Sequence, residues 1–218
     1  MKNKAEKKQK SFLRASVENF WYYYKWPFLG GIVLFFAVLV AMTAMTDVSE
    51  PTDADVVAVF ARPLTTQEFE FQSRLEGVVS DIDDNGKVTI GTEGFYISEQ
   101  GKSDNDSLAQ SKFETEIAYA RGDLVLMDGI NMKRFEPKDL WAPLADYVDI
   151  SQVPAEDLYF RNGVAVGVRL SDSKVLLDMQ FFIDDVYAGI LFVPEDAEDA
   201  AVMRRENAAK MIAKLLER

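Results

Sequence analysis

Cysteine and histidine do not occur anywhere in this 218-residue chain. Without cysteine there is no disulfide, no thiolate metal site, no thiol nucleophile and no cysteine to carry a lipid. Without histidine there is no Ser-His-Asp triad, no His-based zinc site and no HExxH chemistry. Positive charge is also scarce: 24 Lys and Arg stand against 36 Asp and Glu, for a formal net charge of −12. A nucleic-acid partner needs a basic face to meet phosphate, so none is expected. The acidic balance favours solubility, cations and basic partners.

The basic residues that do exist are unevenly placed. Lys2, Lys4, Lys7, Lys8, Lys10, Arg14 and Lys25 crowd the first 25 residues against only Glu6 and Glu18. A run without charge follows, WPFLGGIVLFFAVLVAMTAMT from Trp26 to Thr46. About 20 apolar residues at about 1.5 Å rise cross a hydrocarbon core of about 30 Å. Lys and Arg flanking a span are retained in the cytoplasm, which predicts a cytoplasmic N-terminus and an extracytoplasmic remainder. The aromatic run Phe20–Tyr24 with Trp26 suits the headgroup level, so lipid contact is expected through residues 20–46. Pro27 falls in the first turn, where its missing N–H does no harm. A cleaved signal peptide and a buried core helix are the alternatives. The long basic region, the length of the apolar run and the poor small-x-small signal at Ala41–Ala44 count against them. Lys2–Lys10 reads as a topology signal with some attraction to anionic lipid. Gly30-Gly31 lies inside the span, as a helix-packing feature rather than a phosphate loop.

The expected organisation is a cytoplasmic basic and aromatic segment (1–25), a transmembrane helix (26–46), a linker (47–54) and an extracytoplasmic domain (55–218). The last is long enough for one sizeable core. Asp55–Ala61, Lys87–Ile97, Asp123–Met127, Gly163–Leu170, Val175–Met179 and Val186–Val193 read as strands from apolar runs or alternation. Helices are predicted after a Thr65 or Thr66 cap, with Phe71, Leu75, Val78 and Val79 inward, and after Asp106 or Ser107, with Ala109, Phe113, Ile117 and Ala120 inward. A closing helix spans about 196–217, acidic at its start and basic at its end, with an inner stripe running through Ala208, Met211, Ile212 and Leu215. This alternation predicts an α/β class: a single three-layer-like domain with a largely parallel sheet, preceded by one N-terminal transmembrane helix.

Three phrases carry a resemblance. ETEIAYARGDLVLMDG (Glu114–Gly129), WAPLADYVD (Trp141–Asp149) and NGVAVGVRLSDSKVL (Asn162–Leu176) resemble segments of one lobe of the type 2 extracytoplasmic solute-binding proteins that serve ABC importers. The resemblance implies an α/β lobe over roughly residues 55–218. Full members close two lobes on a solute and are commonly tethered through a lipidated cysteine; this chain has residues for about one lobe and no cysteine. A half-cleft cannot bury most of a small ligand. The chain is also similar to small membrane-anchored bacterial proteins with an aromatic-Lys-Trp lead into the span, a likeness that implies no activity.

Few residues suggest chemistry. Asp81, Asp83 and Asn85 stand at positions 1, 3 and 5 of a calcium-loop-like turn, with Gly86 at position 6 and Val88 at 8. Position 12 is Thr92 instead of the bidentate Glu, and Glu93 comes one place late. A plain Asx-rich turn is the other reading. Asp184-Asp185 and Glu195, Asp196, Glu198 and Asp199 could pair as carboxylates, but a loop and a helix N-terminus explain them. Trp141, Phe181, Phe182 and Tyr187 suit either a binding surface or the core. The resulting expectation is a non-enzymatic, membrane-anchored module that contacts another protein at the membrane. No cofactor is expected, calcium being the alternative. A solute receptor is the competing function.

Overall fold

The computed structural model describes residues 20–40, 52–65, 70–118, 122–138, 140–170, 172–181, 185–192 and 199–217. It divides into two units, Met1–Glu50 and Pro51–Arg218. Helix α1 (Phe20–Val40) belongs to the first. It is 21 residues long, apolar, and none of it is buried within the chain. Among the described residues it is the one helix long and apolar enough to cross a membrane, as a span or as a signal sequence. Phe20 stacks on Tyr24 at 5.3 Å, one turn apart on the same face. Residues 41–46 of the expected span lie outside the described residues.

The second unit is a mixed α/β domain around a six-stranded sheet in the order β2-β1-β3-β6-β5-β4. The strands are β1 (Ala54–Phe60), β2 (Ile90–Tyr96), β3 (Leu124–Asp128), β4 (Leu158–Arg161), β5 (Val164–Arg169) and β6 (Val186–Ile190). The helices are α2 (Phe71–Leu75), α3 (Asp104–Ala118), α4 (Gly129–Phe135), α5 (Lys174–Asp178) and α6 (Asp199–Leu215). β1 pairs in parallel with β2, from Ala54 opposite Ile90 to Phe60 opposite Tyr96, and in parallel with β3. The other three pairings, β3–β6, β6–β5 and β5–β4, are antiparallel. The expectation of a largely parallel sheet therefore holds for one half only. The reason lies in the connections. Asn162 and Gly163, both at positive φ (50° and 81°), make a two-residue hairpin between β4 and β5, and a tight hairpin can join only antiparallel strands.

Two further expectations are corrected. Val175–Met179 is not a strand: Ser173 caps α5 by accepting from the Leu176 N–H, and Val175, Leu176 and Met179 are buried at helical rather than alternating spacing. The helix expected across Phe71–Val79 closes after Leu75, leaving Val79 buried in the turns beyond it. The strand expected from Lys87 begins at Ile90, and Ala54, assigned to the linker, already belongs to β1.

β1 and β3 alternate between two apolar clusters. Val56, Ala58, Phe60, Leu124 and Leu126 join Phe71, Leu75, Leu176 and Met211, Ile212 and Leu215 of α6. Val57, Val59, Val125 and Met127 join Phe95, Phe113, Met132, Phe135 and Trp141. Phe113 and Phe135 meet edge to face at 4.8 Å. That is why both strands read as unbroken apolar runs rather than as alternation.

α6 is fixed by a buried charge cluster. Arg205, 2% exposed, pairs with Asp123 and donates from Nε to the Leu191 carbonyl at 3.0 Å. Arg204 pairs with Asp55 and, at 3.0 Å, with Asp123. Asp123 also accepts the Asp55 N–H at 2.7 Å. Burial pushes the Asp123 carboxyl up from its usual value, against the pull of the two guanidinium groups. Gly122, at φ 100°, precedes it with Val57 packed so closely that a Cβ would lie 2.8 Å from its methyl. We predict that Arg205→Met, which leaves the buried Asp123 carboxylate with Arg204 as its one cationic partner, costs about 3–5 kcal/mol in urea unfolding. Adding Asp123→Asn to it should cost less than the two single changes summed, the mark of a coupled pair.

Candidate functional site

The Asp81–Asn85 turn is built as a self-satisfied loop. Asp81 accepts the Gly86 N–H at 2.7 Å and the Asn85 N–H at 3.3 Å. Asp83 accepts the Asn85 side-chain amide at 2.8 Å, and Asn85 Oδ1 accepts the Lys87 N–H at 2.8 Å. Gly86 turns the chain at φ 81°. Desolvation works against ionisation of Asp81, but the Gly86 N–H, a side-chain hydrogen bond shared with Asp83, and the Asn85 and Asp84 N–H groups hold its carboxyl below the usual range.

Buried Asp53 completes this turn, a residue that sequence reasoning missed. Its two oxygens accept the Ile82 and Thr89 N–H groups, both at 2.7 Å, clamping the two ends of the turn. Carboxylate oxygens of Asp53, Asp81 and Asp83 lie within 4.8 Å of one another, the one such convergence of three acids among the described residues. Asn85, the third residue of the predicted set, belongs to the turn but not to this trio. Thr92 and Glu93 leave with β2, opposite Val56 and Val57. The trio has the donor chemistry for a hard cation, yet its oxygens already accept backbone hydrogen bonds.

Other candidate residues are dispersed. Asp184, Glu195, Asp196, Glu198 and Phe182 lie outside the described residues. Asp185 is exposed, 4.0 Å from Arg169, which is held by Asp157 at 2.8 Å. Asp199 begins α6. Trp141 and Phe181 are core residues. Tyr187 is half-buried edge-on to Tyr159 at 5.5 Å. Burial, with a 2.9 Å hydrogen bond to Glu136, pushes the Tyr159 hydroxyl up to about 12, so it stays protonated.

The carboxyl ends of parallel strands are where α/β sheets usually receive ligands. Here the chain's own polar groups fill them. Asp128 accepts the Ala61 N–H and, at 2.8 Å, the Asn131 N–H that it caps. Asp106 accepts the N–H and hydroxyl of Ser98 and those of Ser103, all within 2.9 Å. Arg134 covers the Ser98 and Glu99 carbonyls at 2.9 Å.

Among the described residues, two open grooves lie on the domain surface. One, about 500 Å³, runs beside α6 and is lined by Asp146, Tyr147, Asp149, Val202, Glu206 and Ala209 among others. The other, about 280 Å³, lies between β2 and α3. The first combines apolar walls with an acidic rim; the second borders an open strand edge. Neither was legible in sequence, because each is assembled from segments far apart along the chain.

Millimolar calcium should leave the melting temperature within about one degree; a rise of several degrees would reassign the Asp53–Asp81–Asp83 trio as a weak cation site. The acid side is a sharper test. The Ser103 hydroxyl and Ser98 N–H lead the donors that hold the Asp106 carboxyl well below the usual range. A depressed carboxylate contributes stability above the unfolded-state value of about 4 and loses it as pH falls through the folded-state value. Asp106→Asn should therefore lower the melting temperature at pH 7 and flatten its decline below about pH 4. No protein-family model matches the chain, and no curated protein and no solved structure matches it.

Proposed function

We propose that this chain is a non-enzymatic, single-pass membrane module whose α/β domain contacts another protein at the membrane. In this reading α1 is a retained anchor, the basic segment before it is cytoplasmic, and the domain lies on the far side. The two apolar clusters are read as filling the spaces between the sheet and helices on each side. That is a three-layer arrangement like one lobe of a type 2 extracytoplasmic solute-binding protein. The lobe serves here as a contact surface instead of half a clamp.

The groove beside α6 carries the reading. Its apolar wall is presented rather than covered: Val202 is 46% exposed and the adjacent Met203 40%. Asp146, Asp149 and Glu206 ring it, and Lys210, the lysine at its edge, is engaged with Ser80 at 2.6 Å and Asn207 at 3.3 Å. An apolar side chain flanked by basic residues fits such a surface, in keeping with the acidic balance of the whole chain. The volume also favours a second reading, a solute receptor, since ligand sites run from about 300 to 1,000 Å³.

A photocrosslinker at Val202 in native membranes should give a discrete protein adduct, which Ala209→Glu and Ala213→Glu in the groove wall abolish. A panel of sugars, amino acids and peptides should leave the melting temperature flat. A solute at about 100 times its dissociation constant that adds about 2.7 kcal/mol, roughly 5–10 °C, would replace this reading with the receptor. Protease added outside sealed cells should remove the domain; protection would overturn the orientation.

A further inference from the structure

The two edges of the sheet are built differently. β4 has four residues, a register shift against β5 between Tyr159 and Phe160, and Arg161 at its end. Shortness, irregularity and charge are devices that keep an edge from recruiting another strand. β2 lacks them. It has seven residues, IGTEGFY, in unbroken register with β1, and contains no Lys, Arg or Pro.

One hydrogen bond fixes which way its backbone faces. Ile97 N–H donates to the Phe60 carbonyl at 3.0 Å. Backbone groups alternate sides along a strand, so the odd-numbered residues of β2 face β1. Thr92, Gly94 and Tyr96 turn their N–H and C=O groups to the open side. The position before them is already occupied: Gln72 accepts from Ile90 N–H and donates to the Val88 carbonyl at 2.9 Å. Beyond that point no described strand pairs with this edge. Thr92 and Gly94 are exposed, as are Tyr96, at 49%, and its neighbour across the groove, Leu108, at 57%.

We propose that a second copy of this chain pairs with β2, antiparallel about a two-fold axis through Gly94, so that two six-stranded sheets become one. The three open residues are symmetric about Gly94. Thr92 meets Tyr96 of the second copy, Gly94 meets Gly94, and Tyr96 meets Thr92, so each outward N–H and C=O gains a partner. Thr–Tyr is a β-branched–aromatic pair of the kind that stabilises sheets. On the α3 side the same register sets Glu93 opposite Phe95, not opposite another Glu93. It also brings the second copy's Glu93 to the groove lined by Lys112, which makes no ion pair among the described residues. A generic extended peptide would satisfy the backbone but not this symmetric matching of side chains and charge. A self-complementary edge of this kind is what an isologous dimer requires. The inference concerns a different face from the α6 groove and stands without it.

The chain's lack of cysteine makes the test direct. A hydrogen-bonded antiparallel pair places Cα atoms about 5.5 Å apart, within the disulfide range of about 4.4–6.8 Å. Full-length Gly94→Cys, oxidised in membranes, should form a disulfide-linked dimer, and Phe160→Cys on the β4 edge should stay monomeric. By light scattering in detergent, the unmodified chain should dimerise. Thr92→Lys and Lys112→Glu should each weaken the dimer about tenfold. Combining Glu93→Lys with Lys112→Glu should restore it. A monomeric full-length chain, equal crosslinking at positions 94 and 160, or a dimer indifferent to Thr92→Lys would each overturn the proposal. So would a Gly94→Cys adduct with a different protein in place of the homodimer.

Discussion

An ion pair that water does not reach ties the last helix to the first strands. Asp123, the residue before β3, accepts from Asp55 at the start of β1, while its own N–H donates to the Asp55 carbonyl at 2.9 Å. Arg205 reaches the same carboxylate from α6 and spends its Nε on the Leu191 carbonyl just past β6. One side-chain cluster therefore sets the relative position of β1, β3, the end of β6 and α6. Burying such charges costs several kcal/mol per ion unless every donor and acceptor is matched. The matching is what makes the arrangement specific: a helix rotated by one residue would leave Asp123 facing Arg204 alone. Asn207, two residues on, extends the same logic by bonding the Asp53 carbonyl at 3.0 Å and the Ser80 N–H and carbonyl at 2.9 Å. The turn that holds Asp81 and Asp83 is thereby positioned from α6 as well.

Much of the architecture was legible because it follows from local pattern. Val56–Phe60 and Leu124–Met127 announce strands buried on both faces, and Phe113 and Met211 announce the inner faces of α3 and α6. What escaped was of two physical kinds. Short segments were misread where a capping residue outweighs apolar content, as with Ser173 and α5. Strand direction depends on loop geometry, on which an apolar run is silent: Asn162-Gly163 makes the hairpin that sets β5 antiparallel to β4. Arg205 was invisible for a third reason. In a helix that otherwise shows an apolar stripe, a buried arginine departs from the pattern and is explained only by an acid 82 residues away.

The candidate sites were less legible than the fold, and the difference is physical. A catalytic site advertises itself by residue type, and this chain lacks the two most informative types. A contact surface advertises itself by what is left uncovered, which only the folded arrangement reveals. Asp53 illustrates the point. In sequence it is one more acid in a polar segment; in the structure its two oxygens close a turn that begins 29 residues further on, between Ile82 and Thr89. The carboxylates that looked most like ligands in sequence are the ones most occupied by backbone donors.

The asymmetry of the sheet gives these observations a common cause. The parallel half is assembled by crossovers through α2 and α3, so its outermost strand, β2, is placed by helices that pack on the faces and leave its rim bare. In the antiparallel half a two-residue hairpin joins β4 to β5, and the outermost strand, β4, is short and irregular, with the rim blunted. An uncovered stretch of strand edge is a hazard for a protein at high local concentration. Glu93 alone does not blunt it, since the residues whose backbone faces outward are Thr92, Gly94 and Tyr96, none charged. A chain that guards one edge and leaves the other matched to itself is built to use the second.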